Sequence, residues 1–443
     1  MEIFKLEKAP LVKNLDRVLS ISHKIDLKPY ITAINKPEYL YWDKAKYKPC
    51  PSGISPEDLW ALVKFFRQNL PERELTPICT ESGQCFSWQL LSGLDFTLRN
   101  IDMKLGPYSQ SIKWNSQLPS ERFITRGVME EAIASSQLEG ANTTRKAAKK
   151  MLLEKRKPSS RSEQMILNNY QAMIEIEEKF SEKHLSKNDL LELHVTLTHD
   201  TIPDKDVGRF RIDNDKIIVG DSRDDLIYHI PPAETFFNKE LDNFLHYAND
   251  VSLKNGFIHP VIKAIILHFW LAYLHPFTDG NGRLARALFY WYLLKNNYRG
   301  FAFLPVSRVI RNSPAQYRNA FLYSEQDDND LTYFIDYYIR KIEQAQRDFE
   351  NYLDRKASEN KKMVSLAQSK YSLNERQIQL LRYFNKNTGA TTTIMLYAGI
   401  YNVTRLTAGK DLKELEKLGF IISSKKGREK PFRGTDKIVS LFE

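Results

Sequence analysis

The longest apolar stretch of the chain lies within Pro260–Leu274 (PVIKAIILHFWLAYL), where nonpolar residues occupy every side of a helical wheel and predict a helix buried all round. A second such pattern runs from Arg283 to Asn296 (RLARALFYWYLLKN), after an interruption holding Pro276, Gly280 and Gly282. Two core helices joined by a short polar loop follow from this. Elsewhere, Ile54–Arg67, Ser87–Leu98 and Glu130–Leu138 read as helices, the last stopped by Gly140. The β-favouring runs Lys216–Val219 and Leu226–Ile230 flank the polar turn Gly220–Asp225 and end at Pro231-Pro232, which predicts a hairpin. A long helix closes near Asn351, and the polar run 355–370 reads as a linker or a solvated helix end. Beyond it, helices Leu373–Asn387, Thr391–Ile400 and Val403–Leu418 precede strands Phe420–Ser424 and Lys437–Phe442, which enclose the basic turn KKGREKPFR. The expected class is mainly α, divided into an N-terminal module 1–110, a helical core 111–350, a linker 351–372 and a C-terminal domain 373–443.

The interruption between the two core helices, HPFTDGNGRLAR (His275–Arg286), carries the chemistry. Backbone N–H groups of Gly280, Asn281 and Gly282 lie at a helix N-terminus, where unpaired donors and the helix dipole favour a phosphate anion. Asp279 is a hard oxygen ligand suited to a Mg²⁺ that keeps most of its waters. His275 stands across the loop as a candidate general base for a hydroxyl. Arg283 and Arg286, three residues apart, can each hold a phosphate oxygen or a carboxylate. Alone, a histidine after an apolar helix usually caps or packs, and Asp-Gly and Asn-Gly are ordinary turn pairs. The two arginines are not explained by a turn.

The stretch resembles the core motif of the Fic family, H-x-F-x-[D/E]-G-N-G-R-x-x-R, at every fixed position: His275, Phe277, Asp279, Gly280, Asn281, Gly282, Arg283 and Arg286. The resemblance implies a Fic helical core with a β-hairpin flap, and transfer of AMP from ATP to a Ser, Thr or Tyr hydroxyl of a protein target. It assigns the base to His275, Mg²⁺ to Asp279, phosphate binding to the Gly280-Asn281-Gly282 loop and Arg283, and the γ-phosphate to Arg286. Upstream, SSQLEG places Ser135 and Glu139 on one helix face before Gly140. It is similar to the family's inhibitory segment, 130–140 here, whose glutamate pairs with the second arginine, Arg286. By the same resemblance Gly208–Pro232 supplies the flap, with Tyr228 and His229 near the nucleotide and a target backbone added as a strand. Gln316 and Tyr317 in SPAQYRNAF occupy the adenine side.

The whole chain, 443 residues with 42% hydrophobic and 27% charged, is ordinary soluble protein on the length and composition scales. No apolar leader or membrane-length segment is present, and Cys50, Cys79 and Cys85 form no C-x-x-C pair, so neither a disulfide nor a zinc site is expected and a cytoplasmic protein without membrane contact is. The net charge of +10 gains meaning at the C-terminus. There, three helices and a basic β-turn resemble a winged helix-turn-helix. In that reading Arg405, Thr407 and Lys410 face a DNA major groove while Lys425, Lys426, Arg428 and Arg433 meet phosphates; docking of protein or homodimer formation is the other use of such a domain. The rival functions are a transcription regulator with a nucleotide-sensing Fic core, and a Fic enzyme that removes AMP or transfers another phosphoryl group.

Overall fold

A computed structural model describes residues 2–10, 20, 26–69, 73–107, 120–180, 182–221, 225–251, 257–387, 389–424 and 431–442. It falls into two compact units, Met1–Arg347 and Asp348–Glu443.

The first unit is mainly helical. At its centre, helix Pro260–Leu274 packs against helix Asn281–Lys295, and almost every side chain of both is buried. Pro260 suits the first turn, where its missing N–H costs nothing, and the His259 ring accepts from the Val261 N–H at 3.2 Å. The helix stops at His275, which takes a left-handed conformation (φ 47) before Pro276. Helix Ser120–Leu138 lies against this pair. Its buried Glu131 accepts from the Tyr290 hydroxyl at 2.8 Å and the Ser307 N–H at 2.9 Å, and burial pushes the carboxyl pKa up. The same helix ends as the pattern around Gly140 predicts. Gly140 N–H reaches Gln137 O at 3.3 Å and Ala141 N–H reaches Ser136 O at 3.0 Å, the paired bonds of a glycine-terminated helix, which leave Glu139 at the cap.

The flap strands are Val219–Asp221 and Leu226–His229, and a strand the hydrophobic pattern does not reveal, Glu2–Ile3, pairs in parallel with the second. The sheet order therefore puts Leu226–His229 in the middle, with Glu2–Ile3 and Val219–Asp221 at the two edges. Of the turn between them, residues 222–224 lie outside the described residues.

Four expectations are corrected. The segment read as helix Ser87–Leu98 is strand Cys85–Gln89 followed by helix Leu94–Leu105, because Ser87 exchanges backbone hydrogen bonds with Asn329 and Leu331 across the fold. Cys79 and Cys85, six apart in sequence, face each other in the antiparallel register of that hairpin and form a disulfide, against the expectation of none. The long helix does not close near Asn351 but runs on into the expected linker 351–372 as Thr332–Tyr371, so of the two readings of 355–370 the helix end holds, since its Lys, Glu, Ala, Met and Gln residues are good helix formers and no Gly or Pro interrupts them. The last strand is Phe432–Gly434 and not Lys437–Phe442, whose Ile438 and Leu441 sit three apart and pack on the core from short helical turns.

The second unit holds helices Glu375–Lys386, Ile394–Tyr401 and Arg405–Lys417 and a sheet in the order Thr391–Thr392, Phe432–Gly434, Ile421–Ser423. Buried Asp411 ties its helices together, accepting from Asn374, Arg376 and Tyr397 at 2.8, 3.0 and 3.1 Å.

Candidate active site

The loop His275–Gly280 is fastened from three sides. Asn281, buried at the start of the second core helix, accepts the Phe277 N–H at 2.9 Å and donates to the Phe277 carbonyl at 2.7 Å, closing the loop on itself. Arg211 reaches from the segment before the flap and donates to the carbonyls of His275 at 2.8 Å and Leu274 at 3.2 Å. Beneath, the His194 ring stacks on Phe277 with centroids 3.9 Å apart. His194 Nδ1 accepts the Gly208 N–H at 3.1 Å, so its protonated Nε2 donates to the Asp279 carbonyl at 3.0 Å. Burial pushes the His194 pKa down to about 4, keeping it neutral for this bridge. Gly280 has φ 86 and a Cβ there would stand 3.0 Å from Thr198 Cγ2, so both backbone shape and space ask for glycine.

His275 is held in one tautomer. Its Nδ1 lies 3.2 Å from the Ala272 carbonyl and must donate to it, which leaves the Nε2 lone pair available. Burial, followed by the charge of nearby His229, pushes the His275 pKa down to about 3. The imidazole is neutral at physiological pH, with its Nε2 unprotonated.

Asp279 stands half exposed at the mouth of the loop. Its Oδ1 accepts the Gly280 N–H at 2.5 Å and lies 3.4 Å from Arg283, while Oδ2 lies 3.4 Å from Arg161. Among the described residues no group of three or more metal-ligating side chains exists, so a cation at this place would rely on one carboxylate, water and the ligand's own oxygens. That donor set fits Mg²⁺ and does not fit a protein-caged Zn²⁺. Arg283 is fully buried and donates to the Leu197 carbonyl at 2.6 Å, so in this arrangement it braces the loop and Asp279.

Arg286 is buried and already occupied. Its Nε donates to Ser135 Oγ at 2.8 Å, and one terminal nitrogen donates to the Ser135 carbonyl at 3.0 Å and to Glu139 Oε1 at 2.9 Å. Burial opposes the arginine's charge, but the Glu139 carboxylate holds its pKa above the usual range. Glu139 also lies against the Gly280-Asn281-Gly282 loop: a Cβ on Gly282 would come within 2.2 Å of its Oε1. Ser135 and Glu139 of the SSQLEG segment both contact Arg286, and Gly140 supplies the helix stop.

The remaining candidates are used differently. His229 has both ring nitrogens engaged, Nδ1 with Glu325 at 2.7 Å and Nε2 with the Tyr273 carbonyl at 2.8 Å. Burial opposes a charge on this ring, the Glu325 carboxylate outweighs it and raises the pKa, and the two hydrogen bonds anchor the flap to the core. The Tyr228 hydroxyl accepts from Arg318 at 2.9 Å and its ring meets Phe4 edge-on. Tyr317 shares a 2.7 Å hydrogen bond with His268 and lies beside Arg286, whereas exposed Gln316 accepts from Lys341 at 3.1 Å. His194, Arg161 and Glu325 were not singled out by the sequence, because their role depends on contacts from distant helices. Arg211 and Gly208 were visible only as the start of the flap segment.

Residues 184–293 match the Fic/DOC family. A "Protein adenylyltransferase Fic" of Nematostella vectensis is 35% identical over 103 residues, 23% of this chain and 21% of that protein. "Protein adenylyltransferase fic-1" of Caenorhabditis elegans is 30% identical over 114 residues, 26% of this chain and 20% of that protein. The chain spans about a fifth of the length of these curated relatives. A solved Fic family protein from Desulfovibrio desulfuricans G20 has the same fold, with a TM-score of 0.52 at 19% identity over 79% of this chain and 97% of that one.

Proposed function

We propose, from the match of residues 184–293 to the Fic/DOC family, that the protein is an adenylyltransferase that moves AMP from ATP to a hydroxyl of a protein target and is restrained by its own Glu139. The observation that carries this reading is the pairing of a neutral His275, Nε2 free, with a helix N-terminus of the Gly280-Asn281-Gly282 loop. A target hydroxyl gives its proton to His275 Nε2 as its oxygen attacks the α-phosphorus in line, and pyrophosphate leaves. The backbone N–H groups at the head of helix Asn281–Lys295 hold phosphate oxygens, and most of the acceleration comes from positioning and charge stabilisation. Asp279 would hold Mg²⁺, which when bound neutralises charge developing on the phosphates. Arg286 is the natural partner of the γ-phosphate; with Glu139 on it, ATP meets a filled guanidinium and a second negative charge.

The second unit fits a winged helix: three helices, then two strands that enclose a turn of which residues 425–430 are outside the described residues. Arg405 and Lys410 are exposed on helix Arg405–Lys417, as DNA reading needs. Met395, Leu396, Ile400 and Leu406, exposed by 65, 51, 63 and 72%, favour docking of a protein surface instead. A regulator whose core only senses nucleotide would survive loss of His275, and an enzyme would not. The direct test is incubation of the protein and a cell lysate with ATP labelled at the α- or the γ-phosphate. Adenylyl transfer labels protein from the α position only; label from γ alone, or none, contradicts it.

A further inference from the structure

The Ser120–Leu138 helix has a second functional face. At about 100° per residue, Glu130, Ile133, Ala134 and Gln137 lie roughly opposite Ser135 and Glu139, and they form one wall of a cavity of about 220 Å³. Arg145, at the start of helix Arg145–Glu154, and Arg308, Arg311 and Asn312, at the end of helix Val306–Arg311, form the rest.

The charges do not balance. Glu130 is the one acid in the lining, and Arg145 covers both its oxygens at 2.5 Å while Lys149 stands 3.6 Å away. Arg311 donates only to the neutral Gln137 at 2.6 Å. Arg308 has no hydrogen bond or ion pair among the described residues, and its charge acts on Glu130, whose oxygens Arg145 already covers. Arg308 and Arg311, three apart on one helix, present forked donors to the same space, beside the Asn312 amide. The volume, below the roughly 300–1,000 Å³ of pockets for drug-sized ligands, suits a small anion.

We infer that this cavity binds a small phosphate-bearing molecule, and that binding locks the restraint on the active site. The second half rests on the reading of Glu139 as inhibitor. Gln137 links the two faces: it accepts from Arg311 and donates to the Thr143 carbonyl at 2.7 Å, bracing the turn in which Glu139 sits. When Glu139 leaves Arg286 that turn moves, Gln137 withdraws from Arg311, and the cavity loses a wall. A ligand that needs the cavity therefore favours the state with Glu139 on Arg286, by about a hundredfold at a hundred times its dissociation constant.

Calorimetric titration of inorganic phosphate into the full chain, wild type against Arg308→Ala, tests the site. Arg308→Ala removes an exposed side chain and leaves the Gln137–Arg311 contact in place. The expected result is one site in the wild type, weakened at least tenfold in the variant, as loss of one charge-assisted contact predicts. Equal affinity in both, or no heat in the wild type, overturns the site. Self-labelling from α-labelled ATP tests the coupling: phosphate should suppress it at least fivefold in wild type and far less in Arg308→Ala or Glu139→Gly. Equal suppression in Glu139→Gly would place phosphate in the ATP loop and overturn the coupling. If even Glu139→Gly never labels, the adenylyl-transfer reading fails and the coupling with it, while the calorimetry still decides the site.

Discussion

Loop His275–Arg286 and helix Arg405–Lys417 both present cations to a prospective anionic partner, but they are built in opposite ways. In the loop region the arginines are buried, and each has a defined partner: Leu197 for Arg283, Ser135 and Glu139 for Arg286. Burying a charge is costly unless it is paired, so such residues are kept for what they hold. On the second helix Arg405 and Lys410 stand in water, where a charge costs little and fits many partners. Buried Asp411 and Gln377 there hold the helices together. Position in the fold, more than charge, separates chemistry from surface.

The comparison breaks most readily at His275. His275→Ala should lower AMP transfer by about 100-fold or more, the usual worth of a general base, with ATP affinity unchanged by equilibrium binding. Retention of half the wild-type rate would mean that the buried loop is not catalytic. Next, Arg286→Ala placed in a Glu139→Gly background should reduce labelling about tenfold, because the arginine then serves the γ-phosphate. A double variant as active as Glu139→Gly alone would confine Arg286 to inhibition. Asn281→Ala removes both hydrogen bonds to Phe277 and leaves a buried N–H and C=O unpaired, which should cost about 2–4 kcal/mol in a denaturant melt. A loss below that of a surface alanine substitution would show that the loop stands without its bracket. The smallest effect belongs to the exposed helix: Arg405→Ala with Lys410→Ala should leave AMP transfer within twofold of wild type. If the second unit reads DNA, the pair should also weaken duplex binding in low-salt mobility shifts and flatten its salt dependence by about two ions. Unaltered shifts would leave the exposed apolar side chains as the docking surface.

The same contrast explains what was legible. The loop could be read because its residues are consecutive and glycine, asparagine and proline mark its turns. Ser135 and Glu139 could be read because four residues is one helical step. His194, Arg161 and Glu325 could not: each acts on the site from an element more than 40 residues away in sequence, through contacts made only after folding. The Glu2–Ile3 strand and the Cys79–Cys85 disulfide were hidden likewise, one too short to show a period and the other set by hairpin register. In the second unit, the apolar run after Lys437 fits a strand and a helical turn equally by composition, and packing against the core decides for the turn.

If one carboxylate, Glu139, holds back a working transferase, its removal must speed transfer. Label from α-³²P ATP accumulating on the protein itself should be compared for wild type, Glu139→Gly and the Glu139→Gly, His275→Ala double variant at equal concentration. Release of a charge-assisted carboxylate–guanidinium contact is worth about 1.5–3 kcal/mol, on the order of 10 to 100-fold in the population able to bind ATP productively. The account predicts labelling at least tenfold faster in Glu139→Gly and none in the double variant. Labelling of Glu139→Gly no faster than wild type, with ATP still bound, would contradict it.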